Sequence, residues 1–260
     1  MLATAAYGVL TVCAAILAAV AGLEAVQRVV PSALRQEHND VAGFIYAVVG
    51  VVYAVLLALV VIAAWEEHEA AKATVGNEAN ELAEIFWLAH HFPDPEDHRL
   101  QELARSYGRV VVEEEWPLME RGRSSPQAWA LLDEMRLVVH EVAVRTPADQ
   151  VLFEEGLDRV HELADARRLR LVEADEGIPA VLWAVLVFGG LVTVGFTYLF
   201  GLENTWSHRL MVAAVAGVIA LVLFTIGNLE YPFYGGTRIG PEAFELVRER
   251  FETSDLGDPR

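Results

Sequence analysis

Four long stretches of this 260-residue chain contain no Asp, Glu, Lys, Arg or His: residues 1–23, 41–65, 177–202 and 210–229. A helix needs about 20 apolar residues to cross a hydrocarbon core roughly 30 Å thick, so each stretch is long enough. Inside lipid every backbone polar group must be satisfied internally, which leaves helices or a closed barrel. The stretches do not alternate polar and apolar residues, and this disfavours a barrel. Four buried helices of a soluble protein is the weaker reading. The first stretch contains Ala19-Val20-Ala21, which resembles a signal-peptide cleavage site. No Lys or Arg precedes it, however, and it is long for a signal's apolar region, so a retained helix is expected.

Composition sharpens this. Hydrophobic residues make up 54% of the chain, yet 37 acids face 19 bases, for a net charge of -18. The apolar and charged residues are therefore separated along the length, which excludes a disordered chain. A pI near 4.8 disfavours a nucleic-acid binder. The single cysteine, Cys13, excludes an internal disulfide framework and any multi-cysteine metal site.

Residues 66–176 carry 26 acids and 12 bases, most of the net charge. Helical signals run through them. The second span continues past Glu66 until His91-Phe92-Pro93-Asp94-Pro95 breaks it. Leu100, Leu103, Ala104, Tyr107 and Val111 repeat at helical spacing, ending near Trp116-Pro117. Ser125-Pro126 and Thr146-Pro147 each read as an N-cap followed by proline at the first helical position. Asp149 makes Thr146 a relative of the capping box. Trp129, Leu132, Met135, Val139 and Val142 line one of these helices. Leu152, Val160, Leu163 and Leu169 mark the other. The organisation predicted is 1–65, two membrane helices; 66–176, a helical bundle; 177–229, two membrane helices; and 230–260, a tail. Lys72, Arg167, Arg168, Arg170 and Arg238 outnumber Arg28, Arg35 and Arg209 near the membrane, so the bundle and both termini are expected in the cytoplasm of a multi-pass plasma-membrane protein.

Candidate chemistry is sparse. In the second span Gly43, Ala47, Gly50, Ala54 and Ala58 form a small-residue stripe on which another helix could pack. Tyr46, Tyr53, Leu57 and Val60 form another face and are the candidates for lining a pathway. Tyr53 lies near mid-bilayer, where its hydroxyl either bonds to a neighbouring helix or faces water. His38, Asn39 and Asp40 stand at the outer mouth, where Asn39 or Asp40 could cap the helix or the cluster could form an ion-binding entrance. Glu66 and Glu67 stand at the inner mouth beside Trp65, an interfacial anchor. No Asp, Glu, Lys, Arg or His lies inside a span, unlike proton-coupled pumps; a passive pathway with an apolar constriction needs none. His90, His91, Asp94, Glu96, Asp97 and His98 gather in a proline turn, and Asp158 with His161 has i, i+3 spacing, but neither carries a metal assignment. No cofactor, metal or catalytic residue is expected, and no enzyme motif is present.

The His38-Asn39-Asp40 entrance, the long second helix running into an acidic helix, and the tail Leu229-Glu230-Tyr231-Pro232-Phe233-Tyr234-Gly235 resemble the bestrophin-like domain family of bacterial membrane proteins. Glu230, Pro232, Phe233 and Gly235 carry the most specific part, a variant of the acid-x-Pro-Phe-Gly segment of true bestrophins in which Tyr234 interrupts. The resemblance implies an all-α protein with four membrane helices and a cytoplasmic bundle inserted between the second and third. It also implies a homo-oligomeric ring, a pentamer, with its axial pathway lined by the second helix. The expected function is passive permeation of small monovalent inorganic ions across a lipid bilayer. The alternative is a non-conducting oligomeric scaffold or sensor that signals through its cytoplasmic helices. No run of consecutive acids matches the calcium clasp of animal bestrophins.

Overall fold

A computed structural model of the chain describes residues 2–31, 35–36, 38–119, 121–202, 204–234 and 236–255, with side chains between 4 and 253. Every regular element among them is helical. In chain order they are α1 (Leu2–Val29), α2 (Asn39–Ala89), α3 (Glu96–Val110), a π-helical turn (Val111–Glu115), α4 (Trp116–Met119), α5 (Pro126–Glu141), α6 (Pro147–Asp175), α7 (Ala180–Thr197), α8 (Thr205–Leu229) and α9 (Glu242–Asp255). Four helical stretches are long and apolar enough to cross a membrane.

The chain divides into two compact units. The first comprises Met1–Glu67, Gly177–Glu230 and Gly235–Thr237; the second comprises His68–Glu176, Tyr231–Tyr234 and Arg238–Arg260. In the first unit α1 packs along α8, with Ala19 and Leu23 against Val212 and Ala216. Small residues permit the approach: Gly8 faces the Phe224 ring and Gly217 faces Ile16. Lipid removes the hydrophobic driving force between helices, so close van der Waals fit must supply the attraction. Val60, Leu186 and Ile226 form a second cluster joining α2, α7 and α8.

The second unit has an ordinary apolar core. Leu82, Phe86, Tyr107, Leu132, Met135, Leu163 and Phe244 are among its buried members. The capping box at Thr146 is complete, with both reciprocal bonds to Asp149 present. Ser125 precedes Pro126 as predicted, but its side chain makes no cap bond; its backbone N–H donates to Glu115 Oε1 instead. Two expectations fail. The helix does not stop at Trp116-Pro117: it widens into the π turn and continues to Met119. Pro117 lacks an N–H and its ring would clash with the carbonyl four residues back in a straight α-helix, and the widened turn upstream accommodates it. Leu169 is half exposed, whereas Arg167 and Arg170 on the same helix are fully buried.

Candidate functional site

The two faces of α2 differ in what they touch. Tyr53 is only 6% exposed, and its hydroxyl donates to the Leu186 carbonyl at 2.8 Å. Its ring lies along Gly189 and Gly190 of α7; a Cβ on these would come within 2.6 Å and 2.9 Å of it. Val60 is buried among Leu186 and Ile226, with Leu57 packed against them. Tyr46 meets Phe200 edge-on, centroids 5.7 Å apart. Tyr46, Tyr53, Leu57 and Val60 thus share one face, and that face packs within the first unit. For Tyr53 and Val60 this runs against the lining expectation, because their side chains are enclosed within their own chain. Of the two readings of the Tyr53 hydroxyl, the bond to a neighbouring helix is the one observed.

The opposite face is apolar and left open by the described residues. Val48, Val51, Val55, Leu59 and Ile62 are each more than half exposed. At 100° per residue they cluster on the side of the helix away from Tyr53. Exposed Glu66 and Glu67 follow them.

Polar contacts fasten the helix ends in this unit. At the start of α2 the Asn39 amide donates to the Gly201 carbonyl and accepts from the Gly201 N–H, both at 2.9 Å. Asn39 is therefore a two-pronged clasp on the α7–α8 connection. His38 and Asp40 beside it are exposed. Arg35, 7% exposed, donates to the carbonyls of Tyr198 and Phe200. This places a cation at the C-terminal end of α7, where the helix dipole favours it. Buried His208 has Nε2 2.8 Å from the Thr197 carbonyl. A carbonyl only accepts, so Nε2 carries the proton and Nδ1 faces the Gln27 amide. At the other end Glu230 accepts from the Ile178 N–H and the Trp183 indole, at 3.1 Å each. This satisfies donors around the start of α7, whose N-cap Pro179 supplies no side-chain bond.

In the second unit Phe233 is buried against Trp116. The buried Pro232 accepts from the Ile239 N–H at 2.7 Å, and the Trp116 indole donates to the Ile239 carbonyl. The tail segment that carries the resemblance is thus a folded turn, and Gly235 lies outside the described residues.

The second unit also holds a buried ionic network that the sequence reading missed. Arg170 donates through Nε to Glu78 Oε2 at 2.5 Å, and through Nη2 to Glu78 Oε1 and Glu115 Oε2, both at 2.9 Å. Arg167 forks onto both oxygens of Glu115 and also reaches the Ser125 carbonyl. The Tyr107 hydroxyl donates to Glu78 at 2.6 Å. All four charged side chains have no exposed surface. Burial would push the Glu115 carboxyl up, but Arg170 and Arg167 outweigh it and hold it below the usual carboxylate range. Burial and the Glu78 charge push the Tyr107 phenol well above its ordinary value. The signal was present in the sequence: Arg167 and Arg170 follow Val160 and Leu163 at helical spacing, in phase with the core.

Of the acidic turn, the side chains of Asp94, Asp97 and His98 converge within 4.8 Å. Asp94 and His98 are exposed and Asp97 half-buried, an arrangement common in solvated turns without an ion.

A family model described as "Bestrophin-like domain" matches residues 13–244. Among solved structures, a bacterial bestrophin homologue from Klebsiella pneumoniae is 13% identical, with 97% of this chain and 99% of that chain covered and a TM-score of 0.64. A point mutant of a bestrophin homologue from the same organism gives 13%, 96%, 99% and 0.64. A structure described only as a membrane protein mutant gives 13%, 94%, 99% and 0.63. Identity this low makes the likeness one of fold. None of the curated proteins compared with the chain matches it.

Proposed function

Because this chain belongs to the bestrophin-like family, we propose that it assembles as a homo-oligomeric ring, a pentamer, that passes small monovalent ions across the membrane. The lining comes from the face of α2 that carries Val48, Val51, Val55, Leu59 and Ile62, with Glu66 and Glu67 at its inner end. Permeation is passive, through an apolar constriction that conducts when wetted. Residues 66–176 and both termini lie in the cytoplasm, following the Lys/Arg asymmetry.

The observation that carries this reading is the unpartnered apolar face of α2, more than half exposed at five successive turn positions. A helix covered on one side by α7 and α8 offers only its other side to an axis. The net charge of 26 acids against 12 bases over residues 66–176 favours cations near the inner mouth.

The test is ion flux from liposomes that contain the purified protein, with Na⁺, K⁺ and Cl⁻ measured separately. Val55→Thr and Ile62→Thr should each raise flux, because a hydroxyl lowers the cost of wetting the constriction. An intact oligomer that passes none of the three ions refutes the channel and leaves the scaffold. Flux that responds to Tyr53→Phe but to neither threonine variant refutes the lining assignment.

A further inference from the structure

α7 carries two consecutive glycines, Gly189 and Gly190, near its middle. Glycine lacks the side chain that restrains a helical backbone, and glycine pairs are among the few places where a helix bends sharply. Two further features weaken the same turn. The Thr193 hydroxyl donates to the Gly189 carbonyl at 2.8 Å, a back-bond to the preceding turn of the kind that bends helices. The Tyr53 hydroxyl donates to the Leu186 carbonyl, which in a regular helix already accepts the N–H four residues on, that of Gly190. A donor from another helix thus shares an acceptor of the α7 ladder directly at the glycine pair.

On either side of this turn α7 is held by different partners. At its start, Glu230 from the end of α8 accepts from the Ile178 N–H and the Trp183 indole. At its end, Arg35 donates to the Tyr198 and Phe200 carbonyls, and Asn39 grips Gly201. The weakened turn lies between two fastened halves, all within the first unit. Tyr53 occupies that turn: a Cβ on Gly189 would meet its ring carbons, and a Cβ on Gly190 its hydroxyl oxygen. Tyr53 is therefore the α2 residue seated on the joint itself.

We infer that Gly189–Gly190 is a joint at which α7 bends, and that Tyr53 is the positioning residue that carries this bend to α2 and so to the orientation of its exposed face. The link to conduction rests on the channel reading; the bend itself does not.

Three forms are compared as full-length, purified oligomers: wild type, Tyr53→Phe, and Tyr53→Phe with Gly190→Ala. The first substitution returns the Leu186 carbonyl wholly to its own helix. The second replaces one glycine of the pair. With the hydroxyl gone the new methyl has room, its next neighbour being the side-chain carbon Cγ2 of Ile219 at 3.1 Å. Spin labels go on the exposed positions Val181 and Leu199, introduced as cysteines in a Cys13→Ser background and diluted with unlabelled subunits. A straight helix would hold these positions roughly 27 Å apart. Wild type should give a broad distribution that extends to shorter distances. Tyr53→Phe should narrow it, and the double variant should narrow it further towards the straight value. A residue that merely packs two helices together would do the opposite, because losing its bond leaves α7 freer. In single-channel recordings both variants should keep the unitary conductance and shift the open probability in the same direction, by about two- to thirty-fold in the double variant. If wild type passes no current but the distribution narrows, the channel reading fails and the joint stands. A wild-type distribution already narrow at the straight value, a distribution unchanged or broadened in both variants, or wild-type open probability in both, overturns the inference.

Discussion

Gly189→Ala tests whether Tyr53 belongs to the interior of the first unit. The new methyl would sit 2.6 Å from ring carbons Cδ2 and Cε2 of Tyr53, about an ångström inside ordinary contact. The ring cannot retreat freely, because its hydroxyl is bonded to Leu186. Overpacking of this size costs about 1–3 kcal/mol. Loss of the hydroxyl bond would add about 0.6 kcal/mol, the average for such bonds between membrane helices. Alanine's better helix propensity returns about 0.5–1 kcal/mol, so a net loss of about 0.6–3 kcal/mol is expected. Equilibrium unfolding of the protein in bicelles measures it. Tyr53→Ala removes the obstacle, and in that background Gly189→Ala should be neutral or mildly stabilising, a coupling of at least about 1 kcal/mol. Strict additivity of the two substitutions would refute the packed placement of Tyr53 and return it to the candidates for a wet pathway.

Asn39→Ala removes both bonds to Gly201 and should cost about 1–3 kcal/mol in the same unfolding assay, with Asn39→Asp recovering only the accepting half. Glu115→Gln leaves two buried arginines short of a partner and should destabilise the second unit by about 3–5 kcal/mol. Because the Glu115 carboxyl is held below its ordinary range, its stabilisation is present above the unfolded value and is lost as pH falls through the lowered one. The gap between wild type and Glu115→Gln in thermal unfolding should therefore narrow on acidification below about pH 4. Glu173 has the opposite sign: burial pushes its carboxyl up despite the bond from Thr74. The folded state then holds its proton more tightly than the unfolded chain, and stability falls as pH rises through the carboxylate range. Glu173→Gln should raise the unfolding temperature at pH 7.5 and leave it unchanged at pH 4; equal shifts at both would contradict the assignment.

Uncharged runs of bilayer length, the proline at each helix start after Ser125 and Thr146, and the Glu230–Phe233 tail made the architecture legible from sequence alone. The orientation of α2 about its own axis was not legible. In a soluble helix the buried face stands out as an apolar stripe, but lipid and protein interior are equally apolar, so nothing in residues 41–65 separates Tyr53 from Val55. For Arg167 and Arg170 the helical phase is legible but the pairing is not. Arginine is almost never fully buried unless paired, and their partners Glu78 and Glu115 lie about 90 and 50 residues away along the chain, beyond any local pattern. The Asn39 clasp was hidden in the same way, since its partner is the backbone of Gly201 and leaves no mark in side-chain composition.

The continuity of α2 makes length itself a constraint. One residue inserted between Glu78 and Phe86 would turn one against the other by about 100°, so that either the carboxylate misses Arg170 or the Phe86 ring leaves the core of the second unit. Seven inserted residues restore the phase to within about 20°, at the cost of a longer shaft. Chain-length changes in this stretch should therefore be harmful singly and better tolerated in whole pairs of turns, whatever side chains they bring.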